Sequence, residues 1–169
     1  IYTSQSPITD GKVDVSIGRP IFLSVETFGE DFSKRSLLWA SNMIFVTVGN
    51  ANQPFDRLLS GIISLIHKGE ISSDAVILQI GHSCSVQENS IHTVPFFPLS
   101  EFERLIAEAE LVVTHAGAGV LMHLFRLKKI PIVMPRRKHY AEHVDDHQFE
   151  LVQALASEGR VIPAYEPEN

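Results

Sequence analysis

Thiols are nearly absent from this chain of 169 residues: Cys84 is the only one, so no disulfide can form within it, as fits a reducing compartment. Long apolar runs are absent too, and none approaches the ~20 residues that a membrane-spanning helix needs. The opening stretch Ile1 to Asp10 lacks a basic segment followed by an apolar one, so no signal peptide is legible. Positive charge is in deficit. Fourteen Lys and Arg stand against 20 Asp and Glu, a net charge of −6, which argues against a nucleic-acid-binding surface. What is there is apolar: 44% hydrophobic residues with 20% charged ones, the composition of a globular domain with a real core. The implied location is cytoplasmic. Ile stands first rather than Met, which reads as a missing or trimmed N-terminus.

Residues 1–42 are rich in Ser, Thr, Gly and Pro and read as an N-terminal extension of uncertain structure. Two short strands (Val13 to Ile17, Ile21 to Val25) and a helical piece (Phe32 to Ala40) are expected in it. Met43 opens a cleaner pattern and is a candidate start for a shorter protein; the domain is expected to run over 43–169. Strands are predicted at Met43 to Val48, Ala75 to Ile80, Ile91 to Phe97, Glu110 to Thr114, Ile130 to Met134 and Arg160 to Ile162. Helices are predicted at Pro54 to Lys68, Ser100 to Ala109 (with Ser100 as cap), Gly119 to Lys128 and Val144 to Ser157, the last stopped by Gly159. Continuous apolar strands alternating with amphipathic helices imply an α/β fold, a Rossmann-like doubly wound parallel sheet covered on both faces. Ligands of such sheets sit beyond the strands' carboxyl ends.

On that rim lies Val112-Val113-Thr114-His115-Ala116-Gly117-Ala118-Gly119, a buried strand breaking into a small-residue loop that opens a helix. Glycines let the backbone approach an anion, and the free N–H groups and dipole of a helix N-terminus face it. The same pattern also serves as a plain tight strand-to-helix connection with a packed His. The rim holds a second polar segment, Pro135 to Gln148. The glycine-loop pattern suggests a nucleotide or nucleotide-sugar site, and Arg136, Arg137 and Lys138 are three consecutive cations near the diphosphate such a ligand would bring, although such runs are commonly just solvated. Asp146-His147-Gln148 offers acceptors and amide donors suited to sugar hydroxyls. His139, His143 and His147 recur every fourth residue, which on one helical face would also suit a metal; their Asp and Gln neighbours favour the sugar.

The block from Met43 onward resembles the C-terminal domain of glycosyltransferase family 28, most of all its short, free-standing donor-binding subunits. These include bacterial exopolysaccharide glucuronosyl- or galactosyltransferase subunits and the catalytic subunit of the eukaryotic dolichol-pathway N-acetylglucosaminyltransferase. The matching stretches are Met43 to Gly49 with Phe55 to Leu58, Leu111 to Gly119, Lys129 to Arg136, and Glu142 to Gln148. Residues 1–42 lie outside the resemblance.

The resemblance implies one half of a GT-B glycosyltransferase: a metal-independent hexosyltransferase without a cofactor, its substrate a UDP-sugar. It implies His115, as the catalytic group, with Gly117, Ala118 and Gly119 on the donor diphosphate. His147 and Gln148 would contact the donor sugar, and Phe97, Leu99 and His123 the nucleoside. Gly49, Asn50 and Arg136 would face the cleft. The general base would lie on the acceptor-binding half, with His82 a local candidate. A membrane-anchored partner subunit would supply that half and a lipid-linked saccharide acceptor, keeping this chain peripheral to the cytoplasmic membrane. Two departures from the family pattern, Val120 for a hydroxyl residue and His123 for an acidic one, motivate an alternative: an inactive regulatory or scaffolding subunit. A sugar-nucleotide epimerase of the related two-domain fold is disfavoured by the chain's short length.

Overall fold

The computed structural model describes residues 42–83 and 90–167. The elements expected before residue 42, and Cys84, lie outside them. The described chain alternates as expected: β1 (Ile44–Thr47), α1 (Asp56–His67), β2 (Val76–Gln79), β3 (His92–Val94), α2 (Leu99–Glu108), β4 (Leu111–His115), α3 (Ala118–Arg126), β5 (Ile132–Met134), α4 (His147–Ser157) and β6 (Ile162–Pro163). The strands form one parallel sheet in the order β3-β2-β1-β4-β5-β6. The fold is a Rossmann-like doubly wound sheet. The strand order reverses direction between β1 and β4, which opens a crevice above their carboxyl ends.

Side chains alternate across each strand, so neighbouring residues feed different layers. Val46, Val76, Leu78, Val113 and Met134 join Leu58, Leu59 and Ile62 of α1 on one face. Phe45, Ile77 and Val112 join Leu105 and Ile106 of α2 and Leu124 of α3 on the other. Further along that face Val133 meets Leu121, Val152 and Leu155. The strands are apolar almost throughout because both faces are covered. Register then sets three polar residues side by side at the carboxyl ends: Thr47 pairs with Gln79 on one side and Thr114 on the other.

Helix starts differ from the sequence expectation in α1, which begins at Asp56 with Phe55 as N-cap and not at Pro54, and in α2 and α4. Pro98, at φ −55° and ψ 149°, is the N-cap of α2, and Phe102 donates to its carbonyl at 2.9 Å. Ser100 therefore lies inside the first turn and does not cap it. Helix α4 begins at His147, not Val144: Asp145 Oδ1 takes the His147 amide at 3.2 Å, a local bond that competes with helix, and upstream a short 3₁₀ turn over Lys138–Tyr140 ends at a left-handed Ala141 (φ 57°). At the other end Gly159, at φ +67°, terminates α4 as expected.

A buried ion pair joins the pieces. Arg57 of α1 meets Glu142 side-on, Nε to Oε1 at 3.0 Å and Nη2 to Oε2 at 2.9 Å, with side chains only 10% and 6% exposed. The same guanidinium donates to the carbonyls of Tyr165 and Pro135, both at 2.7 Å, while Glu142 Oε2 also accepts from the Arg137 amide at 2.9 Å. Helix α1, the loop after β5 and the tail after β6 are thereby held to one another. Removing one partner of such a pair strands the other charge. Arg57→Met is expected to lower unfolding free energy by about 3–5 kcal/mol in urea titration; a loss under ~1 kcal/mol would show that the pair is not needed.

Candidate functional site

The β1–β4 crevice is framed by the loop after β1, the β4–α3 turn and the loop after β5. Gly49 takes φ +76°, a conformation that a side chain resists, and its amide donates to Thr47 Oγ1 at 3.1 Å. The half-buried His115 ring lies between Gly49 and Gly117: a Cβ built on either glycine would overlap the imidazole. These two glycines are therefore required by the ring rather than by a ligand. Gly119 is different. It sits exposed in the first turn of α3, and a Cβ there would meet open space. Gly117 is the helix N-cap without side-chain cap, so the first amides of α3, from the exposed Ala118 and Gly119, point out with no intrahelical acceptor. That is the local geometry of an anion site.

His115 is electrically neutral in this setting. Burial lowers its pKa from 6.5 to about 4, helped by the nearby positive charge of Arg136 and by His143, while a hydrogen bond to the Thr47 carbonyl opposes the shift. Thr114 Oγ1 stands 3.4 Å from its Nδ1. At neutral pH the imidazole can hydrogen-bond without carrying charge, and protonating it would require charging a buried ring.

Other expected residues fall in different places. Arg136 does not face the cleft. Its side chain is 1% exposed and donates to the carbonyls of Val48 (2.9 Å), Gln53 (2.9 Å), Pro54 (3.2 Å) and Glu142 (3.1 Å), with the guanidinium 4.7 Å from the Phe55 ring centroid. Those carbonyls claim the cation that the sequence assigned to phosphate. Asn50 is exposed beside Gly49. Gln148 Oε1 accepts from the Arg136 amide at 3.1 Å, which orients its amide group at the start of α4. His147 is 79% exposed, with Asp145 and Glu150 each 3.6 Å away. His139 and His143 lie before α4, so the three histidines do not share a helical face; among the described residues no group of three His, Cys, Asp or Glu is placed to hold a metal.

The ring of Phe97 packs edge-on against Phe45, 6.0 Å between centroids, in the core. Its neighbour Phe96 is the outward aromatic, 43% exposed and 5.2 Å from the exposed His82. Sequence reading missed Phe96, although alternation after a strand would have separated the pair. Leu99 is 72% exposed at the first position of α2. His123 turns toward α2, its Nδ1 3.9 Å from Glu103, and Val120 is buried against that same layer. The apolar groove beside α1, lined by residues such as Leu58, Ile62, Ile132 and Met134, contains none of these site residues.

The lowered pKa of His115 has a consequence for stability. Between about pH 4 and 6.5 the unfolded chain binds a proton at this ring that the folded chain does not, so stability falls as pH drops through that window and is unaffected above it. Denaturation midpoints of His115→Gln should show a shallower loss from pH 7 to 4.5 than those of the parent chain; parallel curves would place the ring's pKa near its ordinary value.

The comparisons with known proteins agree with this fold. The model of the glycosyltransferase family 28 C-terminal domain matches residues 43–166. The chain is 40% identical over 67 residues to the UDP-N-acetylglucosamine transferase subunit ALG13 of Cryptococcus neoformans var. neoformans serotype D (strain JEC21 / ATCC MYA-565), over 38% of this chain and 32% of that protein. It thus spans well under half the length of the curated relatives it matches. Among solved structures it is similar to the glycotransferase of kitacinnamycin, with TM-score 0.52 and 15% identity over 76% of this chain and 32% of that one. It is similar also to the NMR solution structure of ALG13, with TM-score 0.50 and 20% identity over 75% of this chain and 79% of that one. Both structural likenesses speak to the fold. With the family model covering the sheet and every loop of the crevice, the chain belongs to glycosyltransferase family 28, through that family's C-terminal domain.

Proposed function

We propose that this chain is the donor-binding half of a two-component, metal-independent GT-B hexosyltransferase. It would hold a UDP-sugar while a membrane-anchored partner subunit presents a lipid-linked saccharide, as in the assembly of a polysaccharide or glycan. The observation that carries the reading is the convergence at the β1–β4 switch point of neutral His115, Gly49 and the open first turn of α3. A UDP diphosphate fits this chemistry: amides and a helix dipole accept its charge, and Gly119 leaves room for close approach. In transfer, the bond between the anomeric carbon and the diphosphate oxygen breaks as the acceptor oxygen bonds to that carbon. Fixed donors stabilise the departing UDP, each worth about 10²–10³ in rate in comparable sites. The acceptor proton would pass to a base on the partner.

Gln148 suits the donor-sugar subsite: its carbonyl is committed to the Arg136 amide, which turns the amide NH₂ outward as a donor for hydroxyl oxygens. Exposed Phe96 and Leu99 would suit the nucleoside, and with Tyr140 and Val144 they leave apolar surface that a partner would cover. Among the described residues no helix is long and apolar enough to cross a membrane; in this reading a partner carries the anchor. A scaffolding subunit without activity is the second reading, favoured by His123, which lies beside Glu103 where family members carry an acidic ribose contact.

Gly119→Ala separates these readings from a purely structural role. Alanine should leave the fold as stable or raise its stability by up to about 1 kcal/mol. Yet UDP affinity by titration calorimetry should drop by roughly tenfold, because the added methyl fills the approach to the amides. Unchanged UDP binding would remove the phosphate assignment, and a well-folded parent chain that takes up no UDP would favour the scaffold. Gln148→Ala should weaken a UDP-sugar more than UDP itself; equal losses would contradict the sugar contact.

A further inference from the structure

Gln79 is a polar side chain where the fold calls for an apolar one. It ends β2, a strand covered on both faces, and is 2% exposed. Burying a primary amide is unfavourable unless both its ends are bonded, and here both are. The Phe97 main-chain N–H donates to Gln79 Oε1 at 3.2 Å, and Gln79 Nε2 donates to Thr47 Oγ1 at 3.1 Å. A backbone N–H can only donate, so it fixes which end of the amide faces the loop and leaves the NH₂ for Thr47. Thr47, itself fully buried, also accepts the Gly49 amide at 3.1 Å. Gly49 in turn lies against the His115 ring.

The loops at the two ends of this relay also both meet Gly81, in the loop after β2. Gly81, at φ +58°, donates its amide to Pro95 O at 2.9 Å, and a Cβ on it would come within 3.0 Å of the Gly49 carbonyl. The loop carrying Phe96 and Leu99 is thus held to the loop that closes on His115 through one amide group lying beneath both. An apolar residue could fill the same volume, but it would not fix the spacing of the two loops.

We propose that Gln79 is a positioning residue for donor binding. It sets the distance between the rim that takes the nucleoside and the rim that takes the diphosphate, without touching either. This rests on the donor-binding reading above.

The test uses the full chain. In Gln79→Leu, amide hydrogen exchange at Phe97 and Gly49, measured by NMR without nucleotide, should speed up by roughly tenfold while Phe45 in the middle of β1 stays protected. UDP affinity by calorimetry should fall by about tenfold. Thr47→Val should reproduce the loss, Thr47→Ser should restore it, and the Gln79→Leu, Thr47→Val double variant should lose no more than either alone, since both cut one relay. Gln79→Glu adds a readout that packing alone would not move. A buried carboxyl keeps its proton to higher pH, and in that form it can donate to Thr47 and accept from Phe97. Relative to the parent at the same pH, this variant should bind UDP well at the acid end and lose affinity as the carboxylate forms. Unchanged exchange at Phe97 and Gly49 in Gln79→Leu, or parent-like UDP affinity in that variant, overturns the proposal. Should Gln79→Leu fail to fold, the Thr47→Val and Thr47→Ser pair and the Gln79→Glu pH profile decide it: a flat profile overturns it. If the parent chain binds no UDP while the exchange pattern responds, the donor reading falls and the link between the loops stands.

Discussion

The guanidinium of Arg136 lies buried between the loop after β1 and the loop after β5, and the form of the crevice depends on it. A cation in that position is costly unless its donors are used. Here Nη1 and Nη2 are spent on the carbonyls of Val48, Gln53, Pro54 and Glu142, with the Phe55 ring beneath, and Nε alone is buried without a hydrogen-bond partner. Each of those carbonyls belongs to an irregular segment that cannot satisfy itself within a strand or helix. One side chain therefore does for the rim what ladder bonds do for the sheet. Its charge also reaches His115 and helps keep that ring neutral. Structural support and site electrostatics come from the same group.

Around this centre the polar residues of β1, β2 and β4 cluster at one end. Thr47, Gln79 and Thr114 are buried at the carboxyl ends of these adjacent strands, with His115 following Thr114, while the strand residues before them are apolar. This is a physical division of labour. The sheet interior gains stability by excluding water, and its upper edge uses hydroxyl and amide groups to fix irregular loops whose main-chain groups need partners. Arg57 and Glu142 do the same on the outer side, tying α1 to the loop after β5 and to the C-terminal tail. The crevice is thus built on side chains with few alternative arrangements, as a site that must present amides to an anion without reorganising would require.

Much of this was legible before any coordinates. The β-branched runs and the helical periodicity gave the alternation of elements, because period and burial are properties of local sequence. The turn from β4 into α3 was legible for the same reason. Helix starts were less so. Ser100 has a cap residue's chemistry, but Pro98 had already started the turn; the spacing of His139, His143 and His147 implied one helical face, but Ala141 takes a left-handed conformation in between. Arg136 was misplaced because a run of three cations looks alike whether it meets phosphate or main-chain carbonyls. Gln79 and Thr47 carried a signal, polar residues interrupting apolar runs at Gln79-Ile80-Gly81 and Thr47-Val48-Gly49, that pattern reading absorbed into the strands.

The sequence by itself determined the parallel sheet, its helical layers and the position of a helix N-terminus beyond β4, since each follows from the order of apolar and small residues along the chain. Tertiary structure decided which polar groups remain available at the crevice. His115 is sandwiched by glycines far apart in sequence, and Arg136 is consumed by carbonyls more than 80 positions away. Phe97 turns inward because Phe45 lies across the core. A side chain's hydrogen-bonding capacity is finite, and only the folded arrangement shows which partners reach it first.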